Sequence, residues 1–187
     1  MIWVLCVFAL IFSSCQQNPQ ERHYTEITIE APQVNVSSAS AAKDMFSWDA
    51  PPGWKQEAGE GIRLATFHLT SDAKAIDCSI ISLGGMAGGL ESNLRRWMGQ
   101  ISIQASAQEL SVLINSAPSI KIKSGQEAKI FDFTTIQVHG NALDKSMVAA
   151  MISIDNTTVF VKMTGSIESV KENKNSFLKL IGSIVHK

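Results

Sequence analysis

The chain has 187 residues, of which 45% are hydrophobic and 18% charged. That length allows one domain plus a tail, and the composition excludes a wholly disordered chain. Lys and Arg number 16 against 17 Asp and Glu, a net charge of −1, so the basic excess of a nucleic-acid binder is missing and nucleic acid is not an expected partner.

Met1 to Phe12 is an unbroken apolar run. It is shorter than the ~20 residues a spanning helix needs, and it matches the apolar region of a secretory signal peptide. Ser13, Ser14 and Cys15 follow. The block Phe12-Ser13-Ser14-Cys15 resembles a bacterial lipobox, in which the Cys receives a diacylglyceryl group and becomes the new N-terminus. Phe12 stands where Leu is commonest, and the first charge is Glu21. A start placed slightly late would account for the missing basic residue. The other reading of this run is a buried N-terminal strand or helix. Residues 1–14 are therefore expected to be a signal peptide and Cys15 a lipidation site. Of the three Cys, Cys6 would leave with the signal and Cys78 would remain alone, so the mature chain could form no internal disulfide. Two or three acyl chains on Cys15 would hold a membrane far more firmly than one myristoyl chain.

Residues 15–44 are rich in Gln, Ser and Ala, with Pro19 and Pro32, and read as a polar tether. Within them, Tyr24 to Ile29 alternates apolar and polar and predicts a possible edge strand. Residues 45–187 suffice for one core. Phe46 to Trp48 predicts a short strand broken by the Pro51-Pro52-Gly53 turn. Gly61–Thr70 and Asp77–Leu83 carry apolar residues on both faces, as central strands do. The run Gly84 to Gly89 turns into a helix over 90–103, with Leu90, Leu94, Trp97, Met98 and Ile101 on one face. A second helix is expected over Ala107–Ile114, and strands over Ser119–Lys123 and Glu127–Thr134. Ser146–Ile154 and Thr157–Thr164 predict a hairpin across Asp155-Asn156. A last helix, capped by Ser166, buries Val170, Phe177, Leu178 and Ile181, and Ser183–Val185 can return as a strand. Strands, helix, strands, helix argues an α+β domain with an antiparallel sheet.

Trp48-x-x-Pro51-x-x-Trp54, Arg63-x-Ala-Thr-Phe67, Gly88-Gly-x-x-x-Asn93-x-x-Arg96-Trp97-x-x-Gln100 and Phe160-Val-Lys-Met-Thr-Gly165 occur in this order. The pattern resembles a group of uncharacterised bacterial lipoproteins, across most of the chain. Val159 departs from it, where Trp is expected. More widely, the P-x-G-W start, the central helix and the C-terminal helix after a hairpin are similar to the PsbP-like fold, also seen in DcrB-type lipoproteins. The resemblance implies a domain that acts by binding partners without catalysis. Fold analogy says little more about function.

Each candidate for chemistry has a plainer reading. The Gly84–Gly89 run before a helix could cradle an anion, but it lacks the Gly-Lys-Ser/Thr ending and the G-x-G-x-x-G spacing, so a tight turn is the expected role. On the helix, Asn93, Arg96 and Gln100 form one polar stripe beside Trp97, whereas Arg95 pairs with Glu91. The stripe could tie the helix to a loop, or Arg96 with Trp97 could bind an anionic partner. His68, Asp72 and Asp77 could gather around a metal, but no ligand spacing asks for one. Cys78 reads as a buried small hydrophobe. Asp132, between Phe131 and Phe133, reads as a strand Asp facing solvent without a mate. Trp48 and Trp54 read as packing residues.

The expectation is a membrane-anchored, extracytoplasmic lipoprotein that is not an enzyme and carries no cofactor or metal. It would bind an envelope protein or other envelope component through Asn93, Arg96, Trp97 and Gln100. The alternative is a small-ligand or anion-binding domain using the Gly-rich turn, the helix N-terminus and Arg96.

Overall fold

Antiparallel pairing on both sides of one nine-residue strand organises the domain. The computed structural model describes residues 44–69, 75–85, 87–136 and 145–187, all in one structural unit. The expected signal peptide, Cys15, the tether and the Tyr24 strand lie outside the described residues, apart from Asp44 at the tether's end. The strands are β1 (Phe46–Ser47), β2 (Lys55–Ala58), β3 (Arg63–Leu69), β4 (Ile76–Gly84), β5 (Ser119–Lys121), β6 (Glu127–Asp132), β7 (Ser146–Ile154), β8 (Thr157–Gly165) and β9 (Val185–His186). The helices are α1 (Leu90–Gln100), α2 (Ala107–Ser116) and α3 (Ile167–Ser183). Seven strands form one sheet in the order β2-β3-β4-β8-β7-β6-β5, and β1 pairs with β9 separately. Every pairing is antiparallel. The α+β class is therefore as the sequence predicts.

Strand β8 lies between β4 and β7 and is paired along its whole length. Its side chains alternate. Val159, Val161 and Met163 enter a core under α3, while Phe160 enters a second core under α1 and α2. Two-sided coverage explains why the central strands are apolar on both faces. The β7–β8 turn places Asp155 at a φ of 49°, the conformation that Asp and Asn tolerate best after Gly.

Four details differ from the expectations. The edge strand β2 carries no apolar periodicity, because Lys55 to Ala58 are all exposed; charged residues on an edge discourage pairing with other chains. Helix α1 stops at Gln100 rather than 103. Ser102 takes a φ of 59°, and Ile103 N–H donates to Met98 O at 2.9 Å, which returns Ile103 to the core. On α3 the fully buried stripe includes Leu180, with Leu178 only partly buried. Asn173 belongs to that stripe too. It accepts from Trp54 Nε1 at 3.4 Å and donates to Ser169 O at 2.9 Å, so a polar residue sits where the pattern wants an apolar one. Trp48 and Trp54 both pack on Phe67, at 6.5 and 6.1 Å between rings. No helix among the described residues is long and apolar enough to cross a membrane.

Asp132 is the fourth correction. It does not face solvent without a mate. Its carboxylate accepts from Lys174 Nζ of α3 at 2.6 Å, from Thr134 N at 2.9 Å and from Thr134 Oγ1 at 2.6 Å. A strand on one side of the core is thereby clamped to the helix that covers it. Burial pushes the Asp132 pKa up, but the hydrogen bonds from Lys174 and Thr134 and the Lys174 charge outweigh it, and the pKa falls below its ordinary 3.8. The carboxylate thus stabilises the fold fully above 3.8, and the contribution fades as pH falls through the depressed value. Asp132→Asn is expected to cost about 1–2 kcal/mol at neutral pH. Urea denaturation across the acid range should show the gap between the two proteins closing below 3.8.

Candidate functional site

The polar stripe of α1 is positioned by the apolar face beneath it. Leu94, Trp97 and Met98 are at most 3% exposed. Trp97 meets Phe160 edge-on at 5.5 Å and Phe131 at 6.4 Å, so it serves as the seat of α1 and presents no outer surface.

Asn93 is also buried, at 2% exposure. Its amide donates to Ala87 O at 2.8 Å and Gly89 O at 2.7 Å, and its Oδ1 accepts from Arg96 Nη2 at 2.5 Å. Both amide hydrogens therefore close the Gly-rich turn, and the oxygen steers Arg96. Gly88 and Gly89 each have a φ of 82°, which accounts for the glycines at this entry to the helix. The small hollow beside the turn is lined by Gly85, Gly89 and Asp155, and an acidic side chain there opposes an anion. Of the four residues singled out in the sequence, Arg96 and Gln100 remain exposed. Arg95 pairs with Glu91 at 2.8 Å.

From Gln100 the site continues onto the sheet. Lys162 Nζ of β8 donates to Gln100 Oε1 at 2.8 Å. Lys162 faces Ser79 of β4, and Ser79 faces Thr66 of β3, so the three share one row across the sheet. In the next row Arg63 faces Ile81, and its Nη1 donates to Thr66 Oγ1 at 3.2 Å. A bulge between Arg63 and Ala65 puts Arg63 on this side. Gly59 packs against the bulge. Its N–H donates to Leu64 O at 3.3 Å, and a Cβ there would lie 2.0 Å from Arg63 O, which only Gly permits. Arg63, Thr66 and Lys162 thus join Arg96 and Gln100. The one signal for Lys162 in the sequence is a lone charge between Val161 and Met163 in an apolar strand.

Helices α1 and α2 pack over the β6–β8 part of this face, where Trp97 meets Phe131 and Phe160, and on β3 Thr66 and His68 are partly buried. His68 lies between Asp77 at 3.4 Å and Glu57 at 3.7 Å, one carboxylate at each ring nitrogen. Asp72 lies outside the described residues. Among the described residues no three His, Cys, Asp or Glu gather as metal ligands. Burial of Lys162 lowers its pKa, and the charges of Arg63 and Arg96 push the same way while Asp77 opposes them. Cys78 is sealed in the core, where burial and the neighbouring Asp77 charge raise its pKa.

No family model matches the chain, and no curated protein does. Among solved structures, the chain is similar to cyanobacterial PsbP (CyanoP) from Synechocystis, at 13% identity over 78% of this chain and 88% of that one, with a TM-score of 0.50. A crystal structure from Bacteroides thetaiotaomicron shows 13% identity over 78% of this chain and 46% of that one, with a TM-score of 0.45. LpqN, a protein involved in cell envelope biogenesis of Mycobacterium tuberculosis, shows 7% identity over 75% and 82%, with a TM-score of 0.48. The CyanoP likeness shows a PsbP-like α+β fold.

Asn93→Ala is expected to lower unfolding free energy by about 1–2 kcal/mol, because Ala87 O loses its side-chain donor and Gly89 O keeps only the backbone N–H of residue 93. Arg96→Ala should cost under about 1 kcal/mol, since Arg96 is exposed. Thermal or urea denaturation of the two variants measures both.

Proposed function

We propose that the chain is an extracytoplasmic lipoprotein, held to a membrane through Cys15, whose PsbP-like domain binds an envelope component without catalysing a reaction. The observation that carries the binding reading is the group of polar side chains where α1 meets the sheet. Trp97 seats α1 on Phe160, and exposed Arg96 and Gln100 stand beside Lys162 of β8. A polar surface of this kind, set on packed elements, suits recognition. Cys78 is no candidate nucleophile, because its thiol is buried in the core and burial raises its pKa. The lipobox-like Phe12-Ser13-Ser14-Cys15 block supports the anchor. A polar tether of ~30 residues would let the domain range tens of Å from the membrane.

Two measurements check this reading. Cys15→Ala should release the protein from membranes and abolish fatty-acid labelling; an unaltered protein that never takes up label overturns the anchor. Co-purification from native membranes should yield a partner that Arg96→Glu loses while the melting temperature holds. A partner retained by Arg96→Glu moves the contact away from α1.

A further inference from the structure

Three cations meet at the border of α1 and the sheet, and each donates its hydrogen bond to a neutral oxygen. Arg63 donates to the Thr66 hydroxyl, Arg96 to the Asn93 amide and Lys162 to the Gln100 amide. Three other cations of the domain have acids. Arg95 pairs with Glu91, Lys174 with Asp132 and Lys55 with Glu57. Among the described residues no carboxylate makes such a pair with Arg63, Arg96 or Lys162. Two acids stand on the same face, Asp77 and Glu57, the latter opposite Thr66, and they sit 3.4 and 3.7 Å from His68.

Like charges held together cost free energy unless something neutralises them, and the cost grows as water is excluded. Lys162 feels that cost, since burial and the two guanidinium groups all disfavour its charged form. The surrounding polar groups favour an anion too. Gln100 uses its oxygen on Lys162, which leaves its amide hydrogens outward. Thr66 uses its oxygen on Arg63, which leaves its hydroxyl hydrogen to donate. The surface therefore offers donors and positive charge, held by two strands and a helix.

We infer that this surface binds a phosphate group, with Arg63, Arg96 and Lys162 as counter-charge and Gln100 and Thr66 as further donors. The inference rests on the binding reading above and names the chemistry of what the α1 border takes. Arg63, Arg96 and Lys162 outnumber Asp77 and Glu57, the two acids that flank His68 on this face, and two planar guanidiniums can each grip two phosphate oxygens. The site runs along α1 from Arg96, held on Asn93 beside the Gly-rich turn, to Gln100 at the end of the helix.

The test titrates inorganic phosphate into the full chain at fixed ionic strength, with chloride as the balancing anion. Isothermal titration should show saturable uptake at millimolar concentration or below. Lys162→Gln and Arg63→Gln should each weaken it at least tenfold, Arg95→Gln should leave it unchanged, and circular dichroism should show all variants folded. No saturable uptake by the unaltered chain overturns the inference, and so does equal uptake by folded Lys162→Gln. Two further probes separate the sources of the phosphate: soluble glycerol 3-phosphate, and phosphatidylcholine vesicles carrying phosphatidic acid. The vesicle arm reads the difference between unaltered chain and Lys162→Gln, because any membrane anchor contributes equally to both. Dependence on Lys162 with either probe supports the site and identifies the source, and dependence with neither overturns it. Partner capture that fails in Arg96→Glu while phosphate uptake is absent would retain the binding surface and sink only the phosphate chemistry.

Discussion

Phe160 and Lys162 stand two residues apart on the same side of β8, and this spacing organises one whole face of the domain. Phe160 receives Trp97 and so fixes where α1 lies. Lys162 then emerges at the edge of that helix, within reach of Gln100. Because β8 is paired on both sides along its length, neither residue can shift without breaking the ladders with β4 and β7. Core packing and surface chemistry on this face therefore come from one strand, in consecutive positions of its period-two alternation.

The opposite face is closed by α3 in a different manner. Its apolar stripe buries Val170, Phe177, Leu180 and Ile181, but polar contacts fix its rotation. Asn173 meets the Trp54 indole near one end of the sheet, and Lys174 meets Asp132 on β6. Apolar burial is non-directional, so these contacts supply the orientation that burial leaves open. The helix end then feeds β9, whose pairing with β1 brings the C-terminal segment beside Phe46.

The alternating and helical patterns made most of the architecture readable. The β7–β8 hairpin, the helix capped by Ser166 and the central strands all follow from periodicity and local turn chemistry. Strand β2 escaped because an exposed edge needs no apolar residue, and the end of α1 escaped because Ser102 adopts a conformation its residue type does not advertise. The site was half legible. Helical spacing placed Asn93, Arg96 and Gln100 on one stripe, but could not say that Asn93 turns back to the Gly-rich loop while Arg96 faces out. Arg63, Thr66 and Lys162 reach the same border only through strand order and register. Those are long-range facts that a local pattern does not contain. Asp132 was misread for the same reason, since its partner Lys174 lies on a helix far along the chain.

The bulge at Arg63–Ala65 makes parity along β3 change sign. Beyond it, odd-numbered Ala65 and Phe67 belong to the core under α3, while odd-numbered Arg63 lies across the sheet from them. Leu64 is the extra residue that permits the switch, and the close approach at Gly59 holds it in place. The cation is thus delivered by a phase shift in the backbone, and an unbulged strand carrying the same residues would point Arg63 into hydrocarbon. Insertions and deletions between Gly59 and Ala65 consequently act on the far face of the sheet as strongly as substitution of the charged side chain itself.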